Sequence, residues 1–85
     1  MNRDKAFKLI NQEREHQEKL LDSGKWERMS ESPMEFLADI RVYTRKCEEA
    51  FVSTGSNLKA MDYMRKIAAL AVAAMEKNET PGRGW

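Results

Sequence analysis

Leu37, Ile40, Thr44, Cys47 and Phe51 recur at alternating spacings of three and four residues, and Phe36, Tyr43 and Ala50 widen the same stripe. That repeat lines up side chains on one face of an α-helix, whereas a strand alternates with period two. No stretch of the chain sustains a period-two alternation, so no sheet is expected.

The punctuation around this stripe divides the chain into three helical segments. Ser32-Pro33-Met34-Glu35 places Ser at an N-cap, Pro at the first helical position and Glu three residues past the cap, which is a capping box. The second helix is therefore expected over 33–53. Ser53-Thr54-Gly55-Ser56-Asn57 closes it and supplies the next N-cap. The third helix is expected over 58–77, with Met61, Met64, Ile67, Ala68, Ala71, Ala74 and Met75 along one side. Asn78 to Gly82 ends it, leaving 78–85 as a tail. Upstream, residues 3–22 are rich in Glu, Gln, Lys, Arg and Leu, all good helix formers, and Ser23-Gly24 stops them. A polar connection over 25–31 follows, with Trp26 and Met29 as its large apolar groups. The expected fold class is all-α, one domain over 1–85. Its second and third helices form a long antiparallel hairpin, preceded by a polar first helix.

Composition then limits what such a domain can be. Fifteen Lys and Arg stand against fourteen Asp and Glu, a formal net charge of +1, which argues against a dedicated nucleic-acid binder. The single Cys47 excludes an internal disulfide framework and a Cys-rich zinc site. The longest apolar run, Ile67 to Met75, is far short of the roughly 20 residues of a membrane span. No basic-then-apolar leader opens the chain. A reducing, cytoplasmic setting is expected, with no membrane association.

Chain length bears on association. An 85-residue helical chain buries little apolar surface, and small cores are marginal without disulfides, metal or association. The third helix is apolar nearly all round between Ile67 and Met75, which suits an interior position that one neighbour cannot cover. A homo-oligomer with the third helix central is expected, tightly packed along Ala68, Ala71 and Ala74. The competing arrangement folds the first helix back over the pair.

Few residues suggest chemistry. Asn11 to Lys19 contains no apolar residue, although Arg14 and Gln17 fall on the face of Phe7, Ile10 and Leu21. The favoured reading is a solvated helix held by pairs such as Glu15–Lys19. The alternative is that Glu13, Arg14 and Gln17 line a pocket against the other helices, with Asp39 and Asp62 as its further candidates. His16 has no His or Cys partner at ligand spacing. Cys47, on the apolar stripe, reads as a small hydrophobe. Glu35 and Asp39 share a face and Asp62 lies early on the next helix, but Arg65 and Lys66 stand where further magnesium ligands are needed. Arg41, Arg45 and Lys46, with Arg65 and Lys66, form a candidate anion-binding cluster diluted by Glu48, Glu49 and Asp62. No catalytic residue and no metal ligand is assigned.

Ile10–Gln17 (INQEREHQ), followed by Gly24-Lys25-Trp26, resembles the opening of small phage and prophage proteins of the MazG-like, all-α nucleotide pyrophosphohydrolase type. Met64–Glu76 (MRKIAALAVAAME), with Pro81 and Arg83 after it, is similar to a related group of short phage-encoded helical proteins. The two matches cover about half the chain. The resemblance implies a helical architecture, a phage setting and a nucleotide or a host or phage protein as partner. The pyrophosphohydrolases hold magnesium with E-E-x-x-E on one helix and E-x-x-D on the next. The corresponding positions here are Ala38, Asp39 and Val42, then Tyr63 and Lys66, which retain a single carboxylate. The expected function is therefore a non-enzymatic binding or accessory protein without a cofactor. The alternatives are a magnesium-dependent pyrophosphohydrolase with a degenerate metal site, resting on Asp39 and Asp62 with Glu35 and Glu13, or a weak nucleic-acid binder.

Overall fold

The computed structural model describes residues 1–25 and 30–84. They are all-helical, with three helices: α1 (Arg3–Asp22), α2 (Pro33–Thr54) and α3 (Asn57–Lys77). Each start is capped by a side chain that accepts an otherwise orphaned backbone N–H. Asn2 accepts from Lys5 before α1, Ser32 from Glu35 before α2, and Ser56 from Lys59 before α3. The capping box is complete, since the Ser32 N–H donates back to Glu35 Oε1 at 3.2 Å. Gly55 ends α2 in the left-handed region at φ 64°, where a side chain is disfavoured. Trp26 and Met29 lie outside the described residues.

α2 and α3 form the expected close antiparallel hairpin. Tyr43 lies beside Tyr63, with ring centroids 6.3 Å apart, and the Cys47 thiol donates to the Ala60 carbonyl at 3.2 Å. At the open end, Asn78 Nδ2 donates to the Glu31 carbonyl at 2.8 Å. α1 packs on α3, and no Cα of α1 comes within 8 Å of one in α2, so α3 is the element that both other helices share.

Within the single chain the buried side of α3 is Ala69, Leu70 and Ala73, while Ala71 is exposed and Ala68 and Ala74 are half-buried. Because α3 is apolar nearly all round, its sequence does not mark the face that faces inward. The expected solvated first helix is overturned: Glu13, Arg14 and Gln17 are the buried residues of α1. Ion pairs to α3 compensate the charges of Glu13 and Arg14, which makes burial of so polar a face tolerable. No helix among the described residues is long and apolar enough to cross a membrane.

Candidate functional site

The seam between α1 and α3 gathers most of the charged residues that carry interactions. Glu13 is 8% exposed, Arg14 6% and Gln17 2%. Arg65 Nε donates to Glu13 Oε1 across the seam at 2.9 Å, and its Nη2 donates to Asp62 Oδ1 at 2.5 Å. Lys66 Nζ pairs with the other Asp62 oxygen at 3.3 Å. Further along, Arg14 Nη2 donates to Glu76 Oε2 at 2.7 Å and to Glu18 on its own helix. Two arginines thus stitch α1 to α3, one pointing each way across the contact.

These pairings set the protonation of the seam. Hydrogen bonding to Glu13 raises the Arg65 pKa, with burial opposing and Asp62 adding to the rise. For Arg14 burial pulls downward, but Glu18 and Glu76 outweigh it and the net shift is upward. Burial pushes Asp62 upward, yet hydrogen bonds and charge from Arg65 and Lys66 hold its carboxyl below the usual value of 3.8. Both arginines and Asp62 are therefore fixed in their charged forms at neutral pH.

Some of the buried polar atoms remain without partners. Among the described residues, Arg14 Nε, Arg14 Nη1 and Gln17 Oε1 make no hydrogen bond. Such groups carry a desolvation cost that nothing offsets. Along the first half of α1 runs an apolar groove of about 370 Å³, lined by Leu9 and Ile10 of α1 and by Leu58, Met61, Met64 and Ala68 of α3, among others. A smaller cleft of about 200 Å³ lies over Leu9, Gln12, Glu13, His16 and Arg65.

Four of the five pocket candidates, Glu13, Arg14, Gln17 and Asp62, lie along this seam. Asp39 does not join them; it accepts from Ser30 Oγ at 2.5 Å ahead of α2. The hairpin register sets Asp39 level with residues 67–68, so it stands about 7–9 Å along the axis from Asp62 at 1.5 Å per residue. The anion-binding candidates also separate. Arg65 turns to α1, while Lys46 sits over the Tyr43 ring at 5.2 Å and Lys66 over the Tyr63 ring at 5.0 Å. Arg41 and Arg45 are exposed on α2. Cys47 is half-buried and bonded to a carbonyl, as a packed thiol would be.

Glu18 and Glu76 belong to the seam and were not among the candidates. The Arg14–Glu18 spacing of four is readable from sequence. Glu76 is reached only through the tertiary contact. Among the described residues, no three His, Cys, Asp or Glu side chains are grouped so as to hold a metal ion. Comparison with protein-family models, curated proteins and solved structures finds no match.

Proposed function

We propose that this chain is a small non-enzymatic helical binding protein that works as a homo-oligomer, in the phage setting its sequence resemblance suggests. One observation carries the reading. α3 is flanked by α1 and α2 on two sides, and its remaining face leaves Met61 57%, Met64 47% and Met75 57% exposed. By contrast, the buried hydrophobic core among the described residues is Phe36, Ala69, Leu70 and Ala73. Burying the methionine face against another helix adds the apolar contact that so small a core lacks.

The state of the carboxylates supports a binding rather than a hydrolytic role. Glu13, Asp62 and Glu76 are each held by an arginine, so a divalent cation would have to displace guanidinium groups to use them. Two measurements on the wild-type chain test the reading. The melting midpoint is expected to rise with protein concentration, as it does when association and folding are linked. Incubation with the common nucleoside triphosphates and magnesium is expected to release no pyrophosphate above background. Turnover abolished by Asp39→Asn or Asp62→Asn would establish the hydrolase alternative instead.

A further inference from the structure

We infer that the oligomer is a two-fold dimer in which the α3 helices cross antiparallel, face to face, along Met61, Met64, Ala68, Ala71 and Met75. This rests on the oligomeric reading above and specifies its surface, partner and symmetry. The five residues follow spacings of three, four, three and four, the repeat of a helix-pairing seam, and span about four turns. Each is exposed or half-buried, and none carries a charge.

The hairpin extends this face onto α2. With Tyr43 beside Tyr63 and Cys47 beside Ala60, helical spacing puts Leu37, Thr44 and Phe51 on the same side of the hairpin as the α3 stripe. Leu37 and Phe51 are exposed. Thr44 is no polar interruption, because its hydroxyl donates to the Ile40 carbonyl at 2.8 Å and is already satisfied. The face is thus apolar across both helices. With α3 about 30 Å long and helix axes about 8–10 Å apart, it spans roughly 30 by 20 Å. A stable interface buries about 800 Å² of accessible surface on each partner, which a corrugated face of that outline can supply.

The order of side-chain sizes selects a second copy as the occupant. Small Ala68 and Ala71 lie at the centre of the stripe, with methionines on either side. Reversing one α3 about a two-fold axis between them sets Ala68 against Ala71 of the second copy and Met64 against its Met75. Small centres permit close approach of the helices, and flexible methionines fill the ends. The same operation keeps the second copy's α2 on the same side of the α3 pair as α2 here, so the starts of the two α2 helices meet. Leu37, level with residues 69–70 of its own α3, comes opposite residues 69–70 of the other copy, against its own symmetry mate. A surface that meets itself in this way is isologous and closes at two subunits.

The test uses single cysteines in a Cys47→Ser background, so that the native thiol does not interfere. Met64→Cys and Met75→Cys proteins are oxidised separately and as a mixture, alongside light scattering of the wild-type chain. The inferred geometry predicts a dimeric wild type and several-fold more covalent dimer in the mixture than in either protein alone. It also predicts that Ala71→Glu is monomeric and still helical at a concentration where Lys77→Glu remains dimeric. A dimeric wild type with equal same-site cross-linking, or with none, would overturn the antiparallel α3 contact and leave the oligomeric reading intact. A monomeric wild type would overturn both, leaving the face to a different protein.

Discussion

Arg65 Nε donates to Glu13 Oε1 at 2.9 Å, joining the middle of α1 to α3 with an ion pair rather than with apolar packing. Glu13 is nearly buried and Arg65 about one-third exposed, so the two ends of the pair are not equivalent. Asp62 keeps Arg65 company if Glu13 is lost, whereas among the described residues Glu13 is held by Arg65 alone.

That asymmetry predicts unequal mutational costs. Arg65→Ala leaves a buried carboxylate unpaired and is expected to destabilise by about 1.5–3 kcal/mol. Glu13→Gln keeps an acceptor facing Arg65 and is expected to cost about 1 kcal/mol or less. Chemical denaturation of both variants checks the order, and a larger loss for Glu13→Gln would contradict the seam geometry.

Gln17 is expected to be replaceable with gain. Its Oε1 is buried without a partner among the described residues, so an apolar side chain of similar length removes a desolvation cost. Gln17→Met is expected to leave stability unchanged or raise it by about 1 kcal/mol. A clear fall in melting temperature would mean that the amide is bonded in solution.

Ser32→Ala removes the acceptor for the Glu35 N–H at the start of α2. The expected loss is about 0.5–2 kcal/mol in thermal or urea unfolding. An unchanged midpoint would place the working start of α2 elsewhere.

Asp62 predicts a pH dependence. Its folded-state pKa is depressed below 3.8, so the unfolded chain binds the proton more tightly. The associated stability is full above the ordinary carboxylate value and is lost as pH falls through the depressed one. Wild type is therefore expected to lose more melting temperature than Asp62→Asn between about pH 5 and pH 3. Equal losses would show that the Arg65 and Lys66 pairing does not perturb this carboxyl.

The boundaries of the fold were legible in the sequence because caps and breakers are local. Ser32 with Glu35 acts within a single turn and appears where the sequence puts it, and Gly55 and Ser56 fall within the expected 53–57 break, with α3 starting one residue early at Asn57. The inward face of α3 was not legible, because Ala68, Ala69, Ala71, Ala73 and Ala74 offer nearly the same side chain in several directions. Burial of Glu13, Arg14 and Gln17 depends on Arg65 and Glu76, distant in sequence, and local charge pairing suggested a solvated helix. A signal was nevertheless present. Arg14 and Gln17 share a face with Ile10 and Leu21, and polar residues on an otherwise apolar stripe mark a polar contact. Asp39 escaped the seam because it lies on α2, whose Cα atoms stay more than 8 Å from those of α1.

The measurement that bears most directly on this account is the solution mass of the wild-type chain by light scattering at micromolar concentration. A helix with an open methionine face is expected to associate, giving twice the 9.9 kDa chain mass for the inferred two-fold dimer. A stable species of 9.9 kDa that does not grow with concentration would contradict it.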